Sequence, residues 1–106
     1  MTTGFTYEVD RDPTQVTVHL AGEIDLAAAP RVESAIEEAL AGEDGTEITI
    51  DLAGVTFLDS TGLRVLVTAH ARCAVEGRNL TLVNPSPAVS RILEITGLGQ
   101  TLLAEG

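Results

Sequence analysis

Val16, Val18 and Leu20 alternate with Thr17 and His19, a period of two that predicts a half-buried strand. A weaker alternation over Phe5–Asp10 predicts a shorter strand before it. Arg11, Asp12 and Pro13 supply turn chemistry between the two, so they should form an antiparallel hairpin. Gly22 reads as the end of the second strand, with a linker beginning Gly22-Glu23-Ile24-Asp25. The period then changes. Val32, Ala35, Ile36, Ala39 and Leu40 recur at helical spacing, with Glu33, Glu37 and Glu38 facing outward. Pro30 suits the first turn of that helix and Gly42 its stop.

Ile48, Ile50 and Leu52 alternate with Glu47, Thr49 and Asp51, which predicts a third strand. Gly54 to Asp59 reads as a connection into a second helix, about Ser60 to Val75. Its inner stripe is expected at Leu63, Leu66, Val67, His70 and Ala74, with Arg64, Thr68 and Arg72 opposite and Gly77 closing it. Leu80 to Val83 gives a fourth strand, followed by Asn84 and Pro85. Ser86 before Pro87 reads as an N-cap and first helical residue, with Val89, Ile92 and Leu93 turned inward. Gly97 should cap that helix, Leu98 pack back on it, and Leu102 and Leu103 form a short last element. The order strand, strand, helix, strand, helix, strand, helix implies an α/β domain with a mixed, mostly parallel sheet.

Composition narrows the function more than the fold. The 106 residues suit one domain spanning 1–106. A chain of 11.1 kDa should keep about 5,600 Å² of surface out of roughly 16,000 Å² unfolded, enough burial for one core. Aromatic residues make up 3%, so aliphatic side chains must fill it. Six basic against sixteen acidic residues give a net charge of −10. That field repels phosphate backbones and anionic lipid, arguing against nucleic-acid or membrane binding, and attracts a basic protein partner. The lone cysteine, Cys73, allows no internal disulfide and reads as a buried or partly buried small residue. With no leader pattern after Met1 and no apolar run approaching about 20 residues, a cytoplasmic location is expected.

The segment richest in chemistry is Phe57-Leu58-Asp59-Ser60-Thr61-Gly62-Leu63, at the start of the second helix. Asp59 or Ser60 can cap that helix, worth about 1 kcal/mol. A helix N-terminus also tolerates anions, so a phosphate on an exposed hydroxyl there would be accepted by the fold and would change any interface built on it. Ser60 does not read as a nucleophile. The residue two before it is Leu58 where an elbow needs glycine, and His19 and His70 read as outward-facing and structural. Asp25 and Asp59 form a possible carboxylate pair, but two carboxylates alone are a weak metal signal. No glycine-rich phosphate loop with its lysine is present. Neither cofactor nor metal is expected.

The same residues resemble the STAS family, shared by anti-sigma factor antagonists and the cytoplasmic tails of sulfate transporters. The resemblance rests on Leu20-Ala21-Gly22-Glu23-Ile24-Asp25, on Asp51-Leu52 with Asp59-Ser60-Thr61-Gly62-Leu63, and on Asn84-Pro85-Ser86 through Leu93-Glu94-Ile95-Thr96-Gly97-Leu98. It covers nearly the whole chain. It implies a single STAS domain with a mixed four- to five-stranded sheet and helices packed mainly on one face. It further implies partner switching. The unphosphorylated antagonist binds an anti-sigma factor and so frees a sigma factor. That anti-sigma factor is a serine kinase of the histidine-kinase-like ATPase fold. It modifies the antagonist on the serine after the motif aspartate, and a PP2C-type serine phosphatase resets the cycle.

Carried onto this chain, the resemblance makes Ser60 the phosphoacceptor. It assigns Glu23, Asp25, Asp59, Thr61 and Gly62 to partner binding and switching, with Asp25 holding the partner or positioning the serine. Thr61 stands where other members carry a second serine, so a second hydroxyl lies beside the acceptor. A monomer when free, pairing with its partner, is the expected state. Two other readings compete. One keeps the fold as a non-switching, stressosome-like adaptor or scaffold, whose members usually carry an extra N-terminal domain. The other is a small enzyme using Ser60 or the aspartates, against which the missing base and elbow glycine argue.

Overall fold

The computed structural model describes residues 4–41 and 47–103. Its elements run β1 (Thr6–Arg11), β2 (Gln15–Ile24), α1 (Ala29–Leu40), β3 (Glu47–Leu58), α2 (Ser60–Val75), β4 (Leu80–Val83), α3 (Pro87–Thr96) and the single turn α4 (Gly99–Leu102). The four strands lie in the sheet in chain order. β1 is antiparallel to β2, whereas β3 and β4 join in parallel. A lone parallel bridge from Leu82 to Leu103 adds a one-residue extension beyond β4. The expected hairpin is therefore present, its turn held by Asp12, whose carboxylate accepts from the backbone N–H of Thr14 at 2.8 Å and Gln15 at 2.9 Å. The Thr14 N–H first, then the Thr14 hydroxyl at 2.9 Å and the Gln15 N–H, hold the Asp12 carboxyl below its ordinary range.

The alternation read in the strands decides where the core sits. Val16, Val18, Leu20, Ile48, Ile50, Leu52, Leu80 and Leu82 are all buried, on one face of the sheet. Their neighbours Thr17, His19, Thr49, Asp51, Thr81 and Val83 stay half-exposed on the other. The inner sides of α1, α2 and α3 join the same cluster, so the helices cover one face and leave the other open to water. α1 buries Val32, Ala35, Ile36 and Ala39 as its spacing predicts, with Ala29 added, while Leu40 packs at the edge. In α3, Val89 and Leu93 are buried and Ser86 accepts from the Val89 N–H at 3.3 Å. Gly97 ends α3 in the left-handed region at φ 74°. The N–H groups of Gly97 and Leu98 both donate to the Leu93 carbonyl, at 2.9 and 3.2 Å.

Three expectations need correction. β2 does not stop at Gly22 but continues to Ile24, and β3 runs on to Leu58 rather than ending near Leu52. The reason lies in the bulges between β2 and β3 near Ala21 and Gly22, which bend the ribbon without ending the pairing. Gly22 takes φ 97°, and a Cβ there would meet the Gly4 carbonyl oxygen at 2.2 Å. A glycine read as punctuation is thus a bend under a close backbone crossing. Third, α2 buries Gly62, Leu63, Val65, Leu66, Ala69 and Cys73, whereas Val67 and His70 are half-exposed and Ala74 exposed. Its buried side is turned toward α1, because α2 packs against a helix as well as the sheet. Cys73 is buried as expected, and burial pushes its thiol pKa up. The proposed helix stop at Gly42 lies outside the described residues.

Candidate functional site

Parallel strands finish on the same edge of a sheet, so the residues following β2 and β3 emerge side by side. Ile24 and Leu58 are register partners and the last residues of their strands. Asp25 and Asp59 come next. The Asp59 N–H donates to the Ile24 carbonyl at 3.2 Å, tying the two strand ends together.

Each aspartate then organises its own turn. The Asp25 carboxylate accepts from the Ala28 N–H at 3.0 Å, bending the chain through Leu26 and Ala27 into α1. Asp59, in extended geometry at φ −104° and ψ −176°, is the N-cap of α2. Its carboxylate accepts from the Gly62 N–H at 2.9 Å, and its carbonyl accepts from the Leu63 N–H at 2.9 Å. The choice left open between Asp59 and Ser60 as cap thus falls to Asp59. Ser60 is the first residue of α2, exposed, and its hydroxyl makes no hydrogen bond among the described residues. Thr61 is half-buried and Gly62 buried.

Gly62 is fixed by space. A Cβ there would lie 2.6 Å from Ile24 Cγ2, 2.8 Å from Leu58 Cδ1 and 2.9 Å from the Ile24 carbonyl oxygen. The first turn of α2 therefore sits directly on the end of β2, and glycine lets the hydroxyl-bearing turn dock at the strand ends. Glu23 is half-buried in β2 opposite Phe57 of β3. The two aspartates gather at one edge but spend oxygens on backbone N–H groups, and the described residues contain no group of three or more His, Cys, Asp or Glu able to hold a metal.

Two residues of this edge were not singled out from the sequence. Leu26 is 72% exposed and Phe57 47% exposed, two of the four large apolar side chains left exposed among the described residues, the others being Val75 on α2 and Ile95 on α3. Phe57 fell in a segment expected to be a connection, and only its place in the extended β3 shows that it shares a strand edge with Glu23. Asp25, Leu26, Phe57, Asp59 and Ser60, at the ends of β2 and β3 and the start of α2, are apolar, acidic and hydroxyl side chains that are all at least partly exposed.

The histidines lie elsewhere. His19 projects from the open face of the sheet, where its Nδ1 meets an Asp51 carboxylate oxygen at 2.8 Å and its Nε2 an Asp10 oxygen at 3.0 Å. Carboxylates only accept, so the ring that satisfies both is the doubly protonated one. The hydrogen bond to Asp51 leads in raising the His19 pKa above its ordinary value, outweighing the opposing effect of desolvation. Burial would raise the Asp51 carboxyl, but the Ala53 N–H, His19 and Asn84 together hold it below the ordinary range. A cleft of about 770 Å³ separates α1 from α2, between Glu33 and Glu37 on one side and Val65, Thr68 and Arg72 on the other. The Arg72 guanidinium bridges it by an ion pair to Glu37.

Residues 7–104 match the family model described as Mlab, STAS domain. The chain belongs to the STAS domain family. It is 37% identical over 93 residues to the anti-sigma-B factor antagonist of Listeria monocytogenes, covering 88% of this chain and 81% of that one. To the anti-sigma-B factor antagonist of Bacillus subtilis it is 34% identical over 91 residues, covering 86% and 82%. The crystal structure of an anti-sigma factor antagonist from Mycobacterium paratuberculosis superposes with a TM-score of 0.82 at 32% identity, over 96% of this chain and 86% of that one. The STAS frame accounts for the mixed sheet and one-sided helices. No described helix is long and apolar enough to cross a membrane.

Proposed function

We propose that this STAS domain is an anti-sigma factor antagonist switched by phosphorylation of Ser60. The observation that carries the reading is the division of labour at the start of α2. Asp59 caps the helix, which leaves the exposed Ser60 hydroxyl uncommitted at the start of α2, beside the ends of β2 and β3. Thr61, half-buried, is the less accessible of the two hydroxyls. The similarity to antagonists over most of the chain supports the class of partner.

In the unphosphorylated state, Asp25, Leu26, Phe57 and Glu23 face an anti-sigma factor around Ser60, and the sigma factor is released. The anti-sigma factor acts as a serine kinase of the histidine-kinase-like ATPase fold. Ser60 Oγ attacks the γ-phosphorus of ATP, an Oγ–P bond forms, the bond to the departing ADP oxygen breaks, and the hydroxyl proton passes to a base on the kinase. The product adds a charge of about −1.5 to −2 beside Asp59. Like-charge repulsion and desolvation at the contact then cost binding. A loss of about 3–4 kcal/mol weakens the complex a few hundredfold, enough for a switch. A PP2C-type phosphatase restores the hydroxyl. The chain itself is a binding protein in this cycle; neither metal nor cofactor has a role on it.

The test is incubation with candidate anti-sigma kinases and ATP, followed by intact-mass analysis of wild type, Ser60→Ala and Thr61→Ala. One added phosphate, absent only in Ser60→Ala, is the expected result. Tight binding by a kinase without any modification would overturn the switch and leave a non-switching adaptor. Phosphate that survives in Ser60→Ala and vanishes in Thr61→Ala would move the site by one residue.

A further inference from the structure

All six basic residues of the chain are arginines, and four already have internal work. Arg11 donates to the Glu38 carbonyl, Arg31 to the Phe5 carbonyl, and Arg78 to the Leu40 carbonyl. Arg72 pairs with Glu37 and Glu76. Arg64 and Arg91 are exposed and make no ion pair or hydrogen bond among the described residues. In a chain with a net charge of −10, two exposed arginines with neither an ion pair nor a hydrogen bond among the described residues call for an explanation.

Arg64 sits four residues after Ser60 in α2. Ser60, Arg64, Thr68 and Arg72 are all exposed and follow one another at four-residue spacing, so they form one stripe along the water-facing side of the helix. Residues four apart on a helix have Cβ atoms about 5–6 Å apart. Helical side chains also lean toward the N-terminus, over the preceding turn. A side chain as long as that of Arg64 is therefore within reach of the turn that carries the Ser60 hydroxyl. Among the described residues no carboxylate pairs with Arg64, and the nearby Asp59 is turned into the helix as its cap.

We propose that Arg64 is the built-in counter-ion of a phosphate on Ser60, a positioning residue that pairs with the phosphoserine across one helical turn. It holds the modified side chain along α2 and favours its dianionic form. The guanidinium fork suits phosphate oxygens, and the pair forms only after modification, which accounts for an arginine left unpaired before it. Arg72, two turns further along, is engaged by Glu37 and does not compete. The proposal rests on Ser60 as the modified residue.

The test is arranged to be independent of any cognate kinase. Phosphoserine is placed at position 60 by genetic-code expansion, and its second ionisation is followed by phosphorus NMR titration in the parent background and in Arg64→Gln and Arg91→Gln. Arg91→Gln, on α3, removes the same net charge from the other unpaired arginine. The expected result is an upward shift of about 0.3 pH units in Arg64→Gln, about a twofold change in proton affinity, from a starting value near 6. Arg91→Gln should follow the parent, and the Arg64 difference should largely vanish in about 1 M salt, where the Debye length is about 3 Å. Coincident titrations for Arg64→Gln and the parent, an equal shift in Arg91→Gln, or a difference untouched by salt would each overturn the pairing. None of these outcomes bears on whether a kinase modifies Ser60, and failure of that modification would leave the titration unchanged.

Discussion

At the scale of single residues, two positions separate what the fold needs from what the proposed switch needs. Gly62 touches Ile24 and Leu58 so closely that any Cβ collides with a backbone carbonyl as well as side chains. Gly62→Ala must push the first turn of α2 away from β2, and should cost about 1–3 kcal/mol of stability. Chemical denaturation measures that loss, and a variant as stable as the parent would refute the contact. Ser60→Ala, by contrast, removes only an exposed, unbonded hydroxyl and should leave stability within about 0.5 kcal/mol. His19 carries a different consequence. Its folded pKa is raised by Asp51 first and by Asp10, against the opposing effect of desolvation. A raised folded value means that this stabilisation is complete below the unfolded imidazole value of about 6.5 and fades as pH rises through the folded value. Asp51, held low, contributes in the opposite sense: its share is present above the unfolded carboxyl value, near 4, and is lost as pH falls through the folded one. The network should therefore be strongest between about pH 4 and 6.5, and His19→Gln should flatten the decline in stability as pH rises above about 6.5. The ring is 40% exposed, so solvent screens the pair and the effect stays small.

At the scale of elements, the start of α2 is the testable unit. Asp59→Ala deletes the cap that Gly62 uses and should destabilise by about 1 kcal/mol, whereas Asp59→Asn, which can still accept, should lose much less. Thermal denaturation of the two variants distinguishes capping from a charge effect, since both remove the carboxylate. The legibility of the elements in sequence follows the same physics. α1, α3 and the inner half of the sheet were readable because each buries one side only, so Val16, Val18 and Leu20 or Val32, Ile36 and Ala39 repeat at a single period. α2 was readable in extent but not in orientation, because contact with both sheet and α1 widens its buried side to include Val65 and Ala69. The far halves of β2 and β3 were not readable as strands. Bulges break the alternation there, and Gly22 signals a turn when taken locally. Ser60 and Asp59 were legible as a helix start because capping chemistry is local. The pairing of Asp25 with Asp59, open in the sequence as a possibility, is fixed by the parallel register, and the exposure of Phe57 follows only from the length of β3.

At the scale of the whole molecule, the net charge of −10 remains the strongest global feature. Much of it lies away from the docking edge: Glu33, Glu37 and Glu38 line the outside of α1, and Glu8, Asp10 and Asp51 the open sheet face. Charge so distributed makes few contacts with a partner docked at the ends of β2 and β3, so it acts on the approach more than on the finished complex. Electrostatic steering raises association rates and is screened over a Debye length of about 10 Å at 0.1 M salt. For a kinase partner that presents a basic surface, raising salt from about 0.05 to 0.5 M should slow association by roughly tenfold while changing dissociation far less. Phosphorylation should show the reverse division. On the proposed reading its charge falls inside the contact, at Ser60 next to the capping Asp59, where desolvation and repulsion are felt after docking, so it should act chiefly on dissociation. Stopped-flow measurement of both rates, for the parent and for phosphoserine at position 60, tests the two statements together. An association rate indifferent to salt would assign the acidity to keeping the free chain dispersed. A phosphate that slowed association alone would place Ser60 outside the contact and make the switch one of long-range repulsion.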